Sequence, residues 1–269
     1  MQHRIVFSDI DGTLLNKQRE LSDFTISEIK RIKKTIPVIL ISSRMPSAMK
    51  HLQEELEITN QPLICYNGGL ILVDHKPIHS TFIDTNIIEK LNLFNKDKSF
   101  HISLYHNDDW FVPEMDFWAN REMENTKVTP VVKATEKVVE DWKISQKGAH
   151  KIMCMGEETY IDKAFDFLEN NFGDTLHLYR SKPTYIEVAH KSISKLTAIE
   201  KLLDFHFDIP IADAVAFGDN YNDIAMIKAV GTGVAVANAK PETLEIADFI
   251  TLSGKEDGVA TYIKNNITE

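Results

Sequence analysis

Cysteine is scarce in this sequence, with two among 269 residues. Cys65 and Cys154 each sit in an apolar, strand-like run, where a thiol behaves as a small hydrophobe. No disulfide is expected. Long apolar runs are missing too: stretches such as Ile36 to Ile41 fall far short of the roughly 20 residues that a membrane-spanning helix needs. Positive charge is also in deficit, because 30 Lys and Arg face 40 Asp and Glu, for a formal net charge of −10. With no basic patch to override that surface, broad nucleic-acid binding is not expected. The first residues pass directly into the strand-like Arg4-Ile5-Val6-Phe7, without the basic, apolar and small-residue regions of a secretory leader. A cytoplasmic location is the expectation.

What is present suits a folded chain of one large or two modest domains: 43% hydrophobic and 26% charged residues, enough to bury a sizeable core. Residues 1–83 alternate short apolar runs with amphipathic stretches, the pattern of βαβ units. The first strand ends at Asp9. Ser22 is placed to cap a helix with an apolar stripe at Ile26, Ile29 and Ile32, Thr25 with Glu28 resembles a capping box, and Pro37 stops the helix. Val38 to Ile41 and Leu63 to Tyr66 read as strands covered on both faces.

From 84 to 187 the texture changes to alternating polar and apolar residues, as in Phe100 to Tyr105, which suits an antiparallel sheet with one covered face. Helices are expected near 86–95, 116–125 and 158–171, with strands near 100–106, 109–113, 150–155, 175–180 and 184–189. The βαβ texture then returns, with a helix containing Leu196, Ile199, Leu202 and Leu203 and strands at Ala214 to Phe217 and Val234 to Val236. The expected architecture is an α/β, Rossmann-like parallel-sheet core (1–83 and 188–269) interrupted by an inserted α+β cap domain (84–187).

Ligands of an open parallel sheet bind beyond the C-terminal ends of its strands. Four polar clusters fall at such positions. Asp9 and Asp11 flank Ile10 directly after the first strand, so their carboxylates can share a face while Gly12 turns the backbone; paired carboxylates suit a hard cation. Ser42-Ser43-Arg44 offers hydroxyl and backbone donors for phosphoryl oxygens. Lys195 follows the N-cap candidate Ser194, which puts an ammonium group at a helix N-terminus. Gly218-Asp219-Asn220-Tyr221-Asn222-Asp223 adds two more carboxylates. Any one cluster is readable as a turn or cap; their conjunction makes one constellation.

These clusters resemble the four motifs of the haloacid dehalogenase superfamily, with Asp-x-Asp-Gly-Thr-Leu at Asp9 to Leu14. Asn67-Gly68-Gly69, Val236-Ala237-Asn238-Ala239 and Asp257-Gly258-Val259 further resemble the Cof-type phosphatases, and the likeness covers nearly the whole chain. It implies that Asp9 is the nucleophile and Asp11 the general acid and base, with a proton expected on Asp11 near neutral pH. It implies that Mg²⁺ is held by Asp9, the Asp11 backbone carbonyl and Asp219, with Asn220 or Asp223 contributing directly or through water. The Ile10 amide, Ser42, Ser43, Lys195 and Asn222 would surround the phosphoryl group. Arg44, Asn67, Gly68 and, in the cap, Arg180 are candidate substrate contacts. A small phosphate monoester, with sugar phosphates first, is the implied substrate; a phosphosugar mutase and a non-catalytic phospholigand sensor are the alternatives. Ser42-Ser43-Arg44 departs from the family's usual Thr-Gly-Arg without losing the hydroxyl.

Other signals are weaker. His75 and His79 have zinc-helix spacing, but Pro77 between them favours a surface turn. Gly231-Thr232-Gly233 lacks the third glycine of a dinucleotide fingerprint. Trp110, Trp118 and Tyr179 fit a sheet or helix core better than a ligand site.

Overall fold

A computed structural model describes residues 3–268. The chain divides into two compact units: residues 1–44, 49–79 and 194–269 form the first, and 45–48 with 80–193 the second.

In the first unit the chain runs β1 (Ile5–Asp9), α1 (Asp23–Ile32), β2 (Val38–Ile41), α2 (Ser47–Leu56), β3 (Leu63–Cys65), β4 (Leu70–Val73) and β5 (Lys76–Ser80). The second unit supplies α3 (Thr85–Asn95), β6 (His101–His106), β7 (Asp109–Val112), α4 (Phe117–Thr126), β8 (Val131–Val132), α5 (Thr135–Ser145), β9 (Lys151–Met155), α6 (Glu158–Phe172), β10 (Leu176–Lys182) and β11 (Tyr185–His190). The first unit resumes with α7 (Lys195–Leu202), β12 (Ala214–Gly218), α8 (Ile224–Ala229), β13 (Thr232–Val236), α9 (Pro241–Ile246), β14 (Phe249–Thr251) and α10 (Gly258–Asn266).

The sheet of the first unit has the order β14-β13-β12-β1-β2-β3-β4-β5. Neighbours from β14 through β3 pair in parallel, and β4 turns back antiparallel to β3. The β-branched and aromatic residues of β1 and β2 are buried without exception, as befits central strands with both faces covered. Ile5, Phe7, Ile39, Ile41 and Ile64 pack with Ala198, Ile199 and Leu202 of α7 and Met226 and Ile227 of α8. Burying such a side chain contributes about 1.5–3 kcal/mol. The sequence runs β1 to β2 to β3 in one direction and β12 to β13 to β14 in the other. The strand order therefore reverses between β1 and β12, the kind of crevice where open α/β sheets place their ligands.

Ser22 caps α1 by accepting from the Thr25 amide. The capping box expected at Thr25 and Glu28 does not form, because Thr25 is a buried helical residue and Glu28 pairs with Arg31. The turn expected at His75 and His79 is the β4–β5 hairpin, with Asp74 and His75 both at positive φ. This is the twist that tight hairpins favour.

The second unit has a six-stranded sheet of order β10-β11-β9-β6-β7-β8, antiparallel except for β7 with β8. One sheet face buries Ile102, Leu104, Ile152, Cys154, Ile186 and Val188 against α3, α5 and α6. Trp110 is buried in this sheet and donates to Ser103 Oγ at 3.0 Å. This unit is wider than the expected 84–187, because Ile83 pairs with Ala149 and β11 runs on to His190. Cys65 and Cys154 are both buried. Among the described residues, no helix is long and apolar enough to cross a membrane.

Candidate active site

The candidate site is assembled in the first unit from the C-terminal ends of β1, β2 and β12 and the start of α7. β1 ends on Asp9, whose residue is 6% exposed. Ser194 caps α7 in a reciprocal capping box with Thr197. That fixes Lys195 as the first helical residue, with its ammonium group buried. Lys195 Nζ donates to Asp9 Oδ1 at 2.5 Å and to Asp223 Oδ1 at 2.6 Å. Asp223 is committed on its other side as well: Oδ2 accepts from the amides of Asp219 and Asn220 at 2.9 and 3.0 Å. One carboxylate thus ties the β12 loop to the lysine. Thr13 Oγ1 donates to Asp219 Oδ1 at 3.2 Å.

Carboxylate oxygens of Asp9, Asp219 and Asp223 lie within 4.8 Å of one another. Three carboxylates against one lysine leave a formal charge of −2 in a small volume. Burial, more than any other influence, pushes the Asp9 carboxyl up to about 8, with Asp223 and Asp219 adding to the rise and Lys195 opposing it. Burial and then Asp223 push Asp219 up to about 6. For Lys195, burial works downward, but Asp223 and Asp9 outweigh it and hold the ammonium charged. Asp9 Oδ2 is buried without a hydrogen-bond partner. An orphaned buried oxygen in a cluster of excess negative charge fits a hard divalent cation.

Gly12 sits at φ +92°, where a Cβ would come within 2.3 Å of Asp219 Oδ2. Only glycine makes this turn and leaves Asp219 in place. Asn238 braces the same turn: Nδ2 donates to the Gly12 carbonyl, and Oδ1 accepts from the Gly254 amide.

The Asp11 carboxylate is not among the three clustered ones. Arg44 grips it edge-on, Nε to Oδ2 and a terminal nitrogen to Oδ1, both at 2.7 Å, and Arg19 adds a third donor to Oδ1 at 3.0 Å. Burial pushes the Asp11 pKa up, but the hydrogen bonds and charges of Arg44 and Arg19 outweigh it and bring it below the usual carboxylate value. The proton expected on Asp11 near neutral pH is therefore absent in this state. Arg44, expected as a substrate contact, is committed to Asp11.

The remaining candidates divide. Ser42 is buried and its Oγ accepts from the Arg44 amide; Ser43, half-buried, follows it in the same loop. Ile10 is buried behind Asp9, with its carbonyl bonded to the Leu14 and Leu15 amides. Asn222 donates to Asn67 Oδ1 at 3.1 Å, joining the β12 loop to the loop after β3. Gly68, at φ +104°, passes so close to α7 that a Cβ would lie 2.4 Å from the Ser194 carbonyl. Its role here is packing. Asn220 is exposed, and its side-chain oxygen caps the following turn at the Tyr221 amide. Arg180 lies in β10 of the second unit, where it bonds Asp162 and the Pro183 carbonyl. Thr13 and Asn238 lie inside two of the sequence motifs, and the structure gives them roles that the motifs alone do not. Arg19, a lone basic residue in a loop, carried no sequence signal.

A model of the haloacid dehalogenase-like hydrolase family matches residues 6–263. A Haemophilus influenzae protein whose name places it provisionally among phosphatases is 32% identical over 273 residues, covering 100% of both chains. Among solved structures, a haloacid dehalogenase-like hydrolase from Bacteroides thetaiotaomicron matches with a TM-score of 0.88 at 24% identity, covering 98% of this chain and 99% of that one. A haloacid dehalogenase subclass IIB sugar phosphatase matches with a TM-score of 0.79 at 21% identity, covering 97% and 98%. With the fold, the four clustered motifs and a family match across nearly its whole length, this chain belongs to the haloacid dehalogenase-like hydrolases.

Proposed function

We propose that the chain is a Mg²⁺-dependent phosphatase that hydrolyses small phosphate monoesters, sugar phosphates first among them, through a phosphorylated Asp9. The observation that carries this reading is the state of Asp9: buried, held on Oδ1 by Lys195, and unpartnered on Oδ2. A carboxylate so placed is immobile and desolvated, as a nucleophile should be.

In the first half-reaction an Asp9 oxygen forms a bond to phosphorus. The bond from phosphorus to the ester oxygen breaks, its electron pair stays on that oxygen, and Asp11 supplies the proton that makes the free alcohol. In the second, Asp11 takes a proton from water as the water oxygen bonds to phosphorus, and the Asp9–phosphorus bond breaks to release inorganic phosphate. One hard displacement becomes two easier ones. The ionised Asp11 of this state suits the second step as it stands. The first requires that a proton enter on Asp11 as the ester binds.

The Asp9 and Asp219 carboxylates and the Asp11 carbonyl would hold Mg²⁺, with Asp223 as the third carboxylate and Asn220 nearby. When bound, the ion supplies positive charge that offsets the negative charge of the phosphoryl oxygens. Lys195, Ser42, Ser43, Asn222 and the Ile10 amide would orient those oxygens, since phosphoryl transfer is mainly a matter of position and electrostatics. Sugar phosphates come first because a fold neighbour carries that activity in its name.

The test is a screen of phosphate esters with Mg²⁺, followed by Asp9→Asn. The variant should retain fold and lose turnover. Wild-type rates from purified Asp9→Asn would remove Asp9 from the mechanism, and no hydrolysis of any ester by the wild type would remove the phosphatase reading.

A further inference from the structure

We infer that Arg19 is a positioning residue for proton transfer: it makes the two oxygens of Asp11 inequivalent and reserves Oδ2 for the leaving group. The inference rests on Asp11 acting as acid and base, as set out above.

A carboxylate offers about four acceptor sites, two on each oxygen. Arg44 takes one on each. Arg19 takes the second on Oδ1, so among the described residues Oδ2 keeps one open acceptor direction. Arg44 is the inner clamp, its side chain 10% exposed, and Arg19 the outer one, 55% exposed. Without the outer clamp the carboxylate could rock about the Arg44 fork and offer either oxygen.

The loop that carries Arg19 is built to deliver it. Arg19 sits at φ 65°, a left-handed conformation that costs any residue with a Cβ. Asn16 holds that conformation: its side-chain oxygen accepts from the Gln18 and Glu20 amides, its carbonyl from the Arg19 amide, and its own amide donates to the Glu20 carbonyl. A glycine would make the same turn without strain. An ion pair this exposed contributes little to stability, so stability does not explain an arginine at a position suited to glycine. Contact with the residue that handles the proton does.

The role predicts a dependence on leaving group. Expulsion of an alkoxide needs a proton from Asp11, whereas 4-nitrophenolate leaves with little help. The experiment compares wild type, Arg19→Ala and Arg19→Gly on β-glycerophosphate and 4-nitrophenyl phosphate with saturating Mg²⁺, with Lys17→Ala as a loop control. The expected loss in kcat is about tenfold on β-glycerophosphate, as for a misplaced catalytic group, and several-fold smaller on 4-nitrophenyl phosphate. Arg19→Lys, which keeps the charge but not the fork, should recover part of the difference. Arg19→Gly should melt no lower than wild type, which separates the kinetic effect from folding.

Equal fractional losses on the two esters, a rise in KM without a fall in kcat, or wild-type rates from Arg19→Ala would each overturn the assignment. A wild-type chain that hydrolyses neither ester, nor any other in the screen, would instead overturn the phosphatase reading and this inference with it.

Discussion

Replacing Lys195 with Met keeps roughly the volume of the side chain and removes its charge from a site where that side chain is 0% exposed. Two carboxylate oxygens then lose a donor, Asp9 Oδ1 and Asp223 Oδ1. Counting all three carboxylates as ionised, the local formal charge goes from −2 to −3. Removing one partner of a buried ionic network costs about 3–5 kcal/mol, since the surviving charges stay buried without compensation. At about 2–4 °C per kcal/mol for a domain of this size, the melting temperature should fall by about 6–20 °C. The assay is thermal unfolding at neutral pH with chelator present, followed by a Mg²⁺ titration. The variant should gain more from Mg²⁺ than wild type does, because the ion meets a larger excess of negative charge. A melting temperature within about 3 °C of wild type in chelator would show that the lysine does not neutralise this cluster, and the electrostatic account of the site would fall with it.

Gly12→Ala should place its Cβ against Asp219 and force that carboxylate aside. A loss in kcat of about 100-fold is expected from the displaced group, together with about 1–2 kcal/mol of stability for the left-handed backbone; near-normal kinetics would show that Asp219 has room to spare. The raised pKa values also set a pH dependence. The folded chain holds a proton on Asp9 up to about 8, far above the unfolded value, so the associated stability is present at low pH and is lost as pH rises through about 8. Burial lowers the pKa values of His79, His101 and His106, which produces the opposite slope at more acidic pH. The window that isolates Asp9 is therefore about pH 7 to 9. In chelator, the urea midpoint should fall across that window; with Mg²⁺, which competes with the proton, it should fall less. A midpoint that rises with pH in chelator would reverse the sign of the argument.

Much of the core was legible because its strands are central. β1, β2 and β12 are short, continuous apolar runs that end in polar clusters, and each cluster lies where its strand stops. Ser194 was readable as a cap and Lys195 as the residue behind it, since capping follows local chemistry. Other elements escaped notice. No helix was anticipated at α2 or α5: within Thr135–Ser145, only Val138, Val139 and Trp142 among the apolar residues reach the core, and Ile144 points outward. The β4–β5 hairpin turns through Asp74-His75 instead of a glycine pair, so its turn carried a weak signal. The charge state of Asp11 was not legible at all. It depends on Arg19 and Arg44 converging from two loops, and spacing along a chain does not report how many donors meet at one oxygen.

The placement of β1 has a consequence for how the chain is made. β1 lies between β2 and β12, with Ile5 paired to Ala214. During synthesis the β2 side is available early, whereas the β12 side of β1 waits until the entire second unit has been produced. Domains tend to fold as units as they emerge, so the second unit can fold while the first still has an open edge along a buried central strand. Lys195 and Asp223 arrive with the late segment. The proposed nucleophile is thus translated well before the groups that hold it, which would keep the nascent chain catalytically silent until its sheet is closed.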